Sequence, residues 1–275
     1  MRPSAFGVAL WASACVALSF LLLPIVAIFS ELTLGELRAG LTSDVARDAL
    51  RVTLETNLVA MVLIVLFGTP TAYLLASREF RGRTLLVTLV ELPLVLPPAV
   101  AGIGLLAAFG RLGLLGGTME SLGLDIAFTK TAVVLAVTFV ASPFYVRTAI
   151  AAFEGVDRDL VAASRTLGAG PARTFFRVAL PLAGGGLGAG AALAFARGLG
   201  EFGATIMFAG SLQGVTQTLS LAIYQEFDVD FDTALAIGAL LVVGSALVLF
   251  AAKVIPAWRR STSTSTTLFA PSASR

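Results

Sequence analysis

The sequence predicts an all-α integral membrane protein with six transmembrane helices. Of its 275 residues, 57% are hydrophobic and 13% are charged, and the mean hydropathy is +0.92. A chain this apolar does not fold as a soluble domain, because it has too few polar groups to cover a surface in water. Its apolar residues also form long continuous runs that do not alternate with polar residues, and such runs are typical of helices in a bilayer.

Six of these runs are long enough to cross the membrane. A helix needs about 20 apolar residues to span the roughly 30 Å of hydrocarbon in a bilayer. The first run follows a basic residue, as in a signal peptide, but its roughly 24 residues exceed the usual 7 to 15 of a signal-peptide core, so we expect a retained helix. The predicted spans cover about residues 7–30, 54–76, 85–109, 131–152, 183–209 and 232–255.

The basic residues predict the orientation of these helices. Thirteen Lys and Arg residues fall in loops on one side of the membrane, five fall on the other, and Arg197 lies inside a span, which accounts for all 19. Short loops rich in Lys and Arg remain in the cytoplasm. We therefore expect both termini to be cytoplasmic.

The chain divides into three parts. Residues 1–48 contain the first transmembrane helix and an outer loop, residues 49–255 form a core of five helices, and residues 256–275 form a cytoplasmic tail. The tail contains the run STSTSTT and has too few apolar groups to pack. We expect this tail to be disordered.

The composition argues against several kinds of chemistry. The chain has one cysteine and no histidine, which removes disulfide frameworks, zinc sites built on His or paired Cys, and His-based catalysis. Its basic residues are scattered through short loops and do not form the patch that nucleic-acid binding requires. We expect the lipid bilayer as a partner, and no bound metal, no catalytic residue and no nucleic acid.

The most informative segment is the long loop at residues 153–182, which we expect to face the cytoplasm. Asp157 or Asp159 can cap a short helix there, and a glycine-rich stretch with a proline is expected to end it. The apolar residues of this helix recur at i, i+3 and i+7, so they either fold back on the bundle or dock into a groove on a partner. The residues expected to form this surface and its end are Asp159, Leu160, Ala163, Leu167, Gly168, Gly170 and Pro171.

This loop resembles the signature of the permease subunits of binding-protein-dependent ABC importers. The signature reads Glu-Ala-Ala, three residues, Gly, nine residues and Ile-x-Leu-Pro. Three positions depart from it, since Ala162 stands in place of Glu, Ser164 in place of the second Ala and Val178 in place of Ile. The residues that match in register are Ala163, Gly168, Leu180 and Pro181, with Val178 at the Ile position.

The resemblance implies both a fold and a set of partners. It implies a type I ABC importer transmembrane fold for residues 49–255, in a bacterial cytoplasmic membrane. It also implies that the loop from about Asp159 to Pro171 is the coupling helix that seats in a cleft of a cytoplasmic ATPase. Two copies of the permease, two ATPase subunits and an extracytoplasmic binding protein would then form the importer, which would work by alternating access.

The chain is not itself the ATPase. It contains no G-x-x-x-x-G-K-[ST] phosphate-binding loop, and neither of its lysines, Lys130 and Lys253, follows a glycine. We therefore expect this chain to bind no cofactor and the partner subunit to use ATP. The residues alone leave an ion gradient open as the energy source.

Two further segments resemble the molybdate permeases over about residues 50–255. The stretch LPLVLPPAVAG at residues 92–102 contains Pro93, Pro97 and Pro98, which must break a helix, and broken helices often line translocation paths. The stretch at residues 194–225 contains LGEFGAT and QTL followed by AIY. The resemblance implies molybdate import. Sulfate permeases share the general layout, and tungstate is nearly the same dianion as molybdate, so both remain alternatives.

Three charged residues lie inside predicted spans, where a charge costs about 2.5 to 3.5 kcal/mol and must face the bundle or a cavity. Arg197 and Glu201 are spaced i, i+4, and Glu91 is a second potential partner. The three form either a structural ion pair or, with Pro97 and Pro98, part of the translocation path. A less favoured alternative is an ion-coupled secondary transporter that uses Glu201 or Glu91 as a proton site.

Overall fold

The computed structural model describes residues 5–261, and within this range the chain is all-α, as the sequence predicts. A π-helical turn at Phe175–Ala179 joins two of the helices. The remaining residues of the predicted tail lie outside the described range. The helices are α1 (Ala5–Ser30), α2 (Leu34–Thr42), α3 (Asp44–Ser77), α4 (Arg83–Val95), α5 (Pro98–Phe109), α6 (Gly116–Ser121), α7 (Lys130–Glu154), α8 (Arg158–Thr166), α9 (Pro171–Thr174), α10 (Leu180–Leu199), α11 (Gly203–Ala209), α12 (Leu219–Glu226) and α13 (Phe231–Ser261).

The structure has five helices long and apolar enough to cross a membrane, and a bent pair that brings the number up to six among the described residues. The bent pair is α4 and α5, which correspond to the third predicted span. They meet at an angle of 112°. The bend has a local cause, because Pro97 is extended, with ψ at 132°, and cannot donate a backbone hydrogen bond, while Pro98 begins the next helix.

The predicted boundaries of the fifth span, 183–209, are wrong at both ends. The helical segment begins at Pro171 and ends at Leu199, and residues 203–209 form the separate short helix α11. Pro181 does not break the segment, because the preceding π-helical turn widens the backbone where a proline ring would meet the carbonyl four residues earlier. The last helix, α13, continues to Ser261, past the predicted boundary at residue 255.

Helix α7 lies at the centre of the bundle and contacts α3, α4, α5, α10 and α11. Small residues make this packing close. A Cβ atom at Gly68 of α3 would lie 2.9 Å from the ring of Tyr145, and one at Gly186 of α10 would lie 2.5 Å from the Cβ of Ala152. The hydroxyl groups of Tyr145 and Thr69 are 2.6 Å apart, so they share a buried hydrogen bond that joins α3 to α7.

The N-terminal helices lie at the periphery. No residue in the apolar stretch of α1 is buried in the single chain, and α1 contacts α13, as expected of a helix that largely faces lipid. Helix α2 begins with a capping box, in which Thr33 and Glu36 exchange hydrogen bonds. These bonds hold the pKa of Glu36 below its ordinary value.

Candidate functional site

The loop at residues 153–182 contains the short helix that the sequence predicts, and the structure identifies its cap. The side chain of Asp157 accepts a hydrogen bond of 2.8 Å from the backbone N–H of Asp159, so Asp157 is the N-cap and Asp159 lies in the first turn. Gly168 ends the helix in the left-handed conformation, with φ at +86°. This conformation favours glycine, and it turns the chain away from the helix axis.

Two residues expected to end this helix instead begin the next one. Gly170 is the N-cap of α9 and Pro171 is its first residue. The first position of a helix suits proline, because its ring presets φ and its missing N–H would have no partner there. The turn between α8 and α9 therefore consists of Leu167 to Gly170.

One face of α8 carries an apolar ridge, which we define as Leu160, Ala163 and Leu167. The side chains of Leu160 and Leu167 are 49% and 89% exposed, and no residue of α8 is buried. The ridge therefore does not fold back on the bundle in this chain. An exposed apolar face of this kind fits the helix-in-groove mode of recognition.

Contacts that the sequence analysis missed attach α8 to the bundle. The hydroxyl groups of Ser164 and Thr174 are 3.1 Å apart, so a hydrogen bond joins α8 to α9, and Thr174 is fully buried. Phe175, next in the chain, packs against Tyr73 of α3 with ring centroids 4.7 Å apart. Ser164 replaces an alanine of the importer signature, and its hydroxyl is what makes this contact.

Arg197 and Glu201 form an ion pair at the end of α10. Arg197 Nη2 lies 2.7 Å from Glu201 Oε2, although the guanidinium is not aligned to donate a hydrogen bond to that oxygen. The other carboxylate oxygen of Glu201 accepts a hydrogen bond of 2.8 Å from the backbone N–H of Ala204. Glu201 lies beyond the last residue of α10, in the break before α11, so the pair connects the two helices across that break.

Glu91 is not a second partner of this pair. Its carboxylate lies 3.3 Å from Nε of Arg147 on α7. Both side chains are more than one third exposed in the single chain, whereas Glu201 is buried. Glu91 belongs to α4, which contacts α7, whereas α5 packs chiefly against α11 beyond the bend.

The break before α11 packs directly on the break between α4 and α5. A Cβ atom at Gly203 would lie 2.8 Å from the Cβ of Pro98, and one at Gly102 would lie 2.6 Å from the carbonyl oxygen of Ala204. The two segments that resemble the molybdate permeases thus meet in space. At this contact Pro97 and Pro98 are exposed. Glu201 is buried and accepts a hydrogen bond from Ala204, the residue that Gly102 approaches.

A buried polar group on α3, which the sequence analysis also missed, lies beside the end of α10. The Asn57 side-chain amide donates a hydrogen bond of 3.2 Å to the carbonyl of Phe195, and Thr53 accepts one of 2.8 Å from the backbone N–H of Leu219. Asn57 Oδ1 is buried and has no hydrogen-bond partner. The signal in the sequence was the i, i+4 spacing of Thr53 and Asn57 at the start of an apolar run.

Comparison with known proteins agrees with this architecture. The model of the family "Binding-protein-dependent transport system inner membrane component" matches residues 64–260. The molybdenum transport system permease protein ModB of Mycobacterium tuberculosis is 47% identical over 237 residues, which cover 86% of this chain and 89% of the relative. A probable sulfate transport system permease protein, cysT of Nephroselmis olivacea, is 36% identical over 87% of this chain and 86% of its own length.

Solved structures show the same fold at low sequence identity. The crystal structure of a bacterial alginate ABC transporter, in complex with a periplasmic protein that carries an alginate pentasaccharide, contains a chain that aligns with a TM-score of 0.71. The alignment covers 91% of this chain and 93% of that chain at 15% identity. The fold is that of type I ABC importer permeases. The chain is therefore a multi-pass inner membrane protein that belongs to the family of binding-protein-dependent ABC importer permeases.

Proposed function

We propose that this chain is the translocation subunit of an ATP-driven molybdate importer. The observation that supports molybdate is the 47% identity to the ModB relative, against 36% to the sulfate relative at nearly equal coverage. The second candidate function is sulfate import, which the sulfate relative favours. Tungstate is grouped with molybdate as a candidate substrate, because the two dianions have nearly the same size and charge.

In the proposed importer, two copies of the chain form the path and two ATPase subunits dock on the ridge of α8. The exposure of Leu160 and Leu167 supports this docking, as does the attachment of α8 to the bundle through Ser164 and Thr174. ATP binding would close the ATPase dimer and move both α8 helices, which would switch the path between inward-facing and outward-facing states. An external binding protein would deliver the anion, as the periplasmic protein in the alginate transporter complex suggests.

We place α8 and both termini on the cytoplasmic side in this proposal, because the loops on that side carry most of the Lys and Arg residues.

We also propose that the ion pair of Arg197 and Glu201 stabilises the break between α10 and α11. Its geometry supports this role, since Glu201 bonds to Ala204 while it pairs with Arg197. The chain supplies no catalytic residue, and the partner ATPase hydrolyses ATP.

Uptake of labelled molybdate into proteoliposomes tests the proposal. The vesicles would contain this chain with its ATPase, and the binding protein would be added outside, with and without ATP inside. We expect ATP-dependent uptake that tungstate inhibits and excess sulfate does not. Inhibition by sulfate would identify a sulfate permease, and uptake without ATP would contradict the importer mechanism.

A further inference from the structure

A cavity of about 660 Å³ lies between α8 and the bundle, where α3 and α7 end and α4 begins. Four arginines line it, and we call it the arginine cavity: Arg78, Arg83, Arg158 and Arg165. Two glutamates, Glu79 and Glu154, also line it, so the charged residues of its wall carry a net positive charge.

Among the described residues, most of this positive charge is not neutralised by ion pairs. Arg83 pairs with Glu154 at 2.5 Å and donates a hydrogen bond to the carbonyl of Leu75. The other three arginines of the cavity form no ion pair with any residue in the described range, and all three are exposed. Three guanidinium groups around one opening therefore remain available to an anion from outside.

The arginine cavity and the apolar ridge lie on opposite faces of α8. Arg158, Ala162 and Arg165 line the cavity, and their spacing of four and three residues places them on one side of the helix. Leu160 and Leu167 are two and nine positions after Arg158, which at about 100° per residue places both roughly 180° away. A partner groove that receives the ridge would leave the cavity open to a different ligand.

The lining fits a phosphate group attached to an apolar chain. A guanidinium group offers paired donors that match the oxygen atoms of a phosphate. Tyr73, Phe153, Val156 and Ala179 form the apolar part of the wall, and the first two stack edge to face with centroids 5.2 Å apart. A volume of about 660 Å³ lies in the range of organic-ligand sites and exceeds the need of a single tetrahedral anion.

The position in the bundle points to lipid. The cavity lies where α3 and α7, both long and apolar enough to cross a membrane, end and where α4, one arm of the bent pair, begins. Basic pockets between the ends of membrane helices bind anionic headgroups. We propose that the arginine cavity binds the phosphate headgroup of an anionic phospholipid, which then sits between the coupling helix and the bundle. This proposal does not depend on which oxyanion the importer carries.

Lipid binding to the purified full-length chain tests the proposal. The chain in detergent would be titrated with phosphatidylglycerol, and separately with phosphatidylcholine, and bound lipid would be counted by native mass spectrometry. The double variant R158Q/R165Q removes two charges that form no ion pair among the described residues, so we expect its fold to be preserved. We expect about thirtyfold weaker phosphatidylglycerol binding for the double variant and little change for phosphatidylcholine.

Arg173→Gln is the matched control, because Arg173 is exposed on the same loop but does not line the cavity. Arg78→Gln tests the same site from a different element, and we expect about fivefold weaker binding of phosphatidylglycerol. An equal loss in Arg173→Gln, or equal binding of both lipids by the natural chain, would overturn the proposal.

Two further outcomes would assign the cavity to another occupant. Displacement of the lipid by low millimolar inorganic phosphate, with the same arginine dependence, would show a site for a free anion and overturn the lipid assignment. Loss of ATPase co-purification in R158Q/R165Q, with phosphatidylglycerol binding intact, would show a protein-docking surface and overturn it as well.

Discussion

Pro98 and Gly203 bring two breaks in transmembrane segments into direct contact. A Cβ atom at Gly203 would lie 2.8 Å from the Cβ of Pro98 and 3.1 Å from the backbone nitrogen of Ala99. Glycine is thus the residue that lets α11 approach the start of α5 this closely. Because the two breaks touch here, a change at this contact affects both segments at once.

Gly203→Ala should therefore destabilise the protein and impair transport. A methyl group at this position meets a proline ring and backbone atoms that cannot move aside easily, and overpacking of this kind costs about 1 to 3 kcal/mol. Thermal unfolding in detergent and molybdate uptake measure the two effects. The control is Gly200→Ala, because a Cβ atom there meets no atom within 4 Å. Equal stability of the two variants would contradict the contact.

Gly168→Val should weaken ATPase docking without affecting membrane insertion. The residue has φ at +86° and a Cβ atom there meets nothing, so the penalty comes from the backbone conformation alone. A β-branched residue avoids this conformation and would reorient the end of α8. Co-purification of the ATPase with the tagged chain measures docking. Gly170→Ala, at a position with φ at −66°, should leave docking unchanged.

Leu167→Asp should abolish coupling to the ATPase while the chain remains folded. The side chain is 89% exposed, and substitutions at exposed sites usually change the free energy of unfolding by less than about 0.5 kcal/mol. A charge at this end of the ridge would be buried on docking, which opposes association. Leu112→Asp is the matched control, because Leu112 is fully exposed and lies outside the loop at residues 153–182. Equal loss of ATPase activity in both variants would count against the ridge.

The sequence predicts the fold class and the number of spans well, because both depend on local hydropathy. The break at Pro97 is also predictable, since a proline acts on its own helix. The ion-pair partner of Glu91 is not predictable from the sequence. The choice of partner depends on which face of α4 meets α7, and this depends on the 112° bend between α4 and α5. The contact of Pro98 with Gly203 depends on tertiary packing between distant segments, which leaves no local pattern.

The π-helical turn is a second case in which tertiary structure overrides a local rule. The apolar run predicts a span that begins near residue 183, just after Pro181, and a proline usually marks a helix boundary. In the structure the widened turn at Phe175–Ala179 lets one segment continue through Pro181. Phe175 packs on Tyr73 at the start of this turn, so contacts with α3 and α7 support a backbone that the sequence alone disfavours.

The capping box of α2 should lose stability in acid. Hydrogen bonds from the backbone and hydroxyl of Thr33 lower the pKa of Glu36 from its ordinary value of 4.5. The stabilisation is present above pH 4.5, where the carboxylate is charged in both folded and unfolded chains, and is lost as pH falls through the lowered pKa. Hydrogen exchange of the Thr33 and Glu36 amides, which donate the capping-box bonds, at pH values on both sides of 4.5 measures this loss of stability. Glu36→Gln should abolish this pH dependence, and unchanged pH dependence in that variant would contradict the assignment.

Glu201→Gln separates a structural role of the ion pair from a role in carrying the anion. The substitution leaves Arg197 without its partner near the membrane interior, and an unsatisfied polar group there costs about 1 to 3 kcal/mol in the free energy of unfolding. The double variant Arg197→Gln/Glu201→Gln removes both charges and should recover much of this stability, because no unpaired charge remains. If the pair only holds the break between α10 and α11, uptake recovers together with the unfolding temperature. If Arg197 also contacts the passing anion, the double variant regains stability and still fails to transport molybdate. Wild-type stability of Glu201→Gln alone would show that the pair contributes nothing to the break.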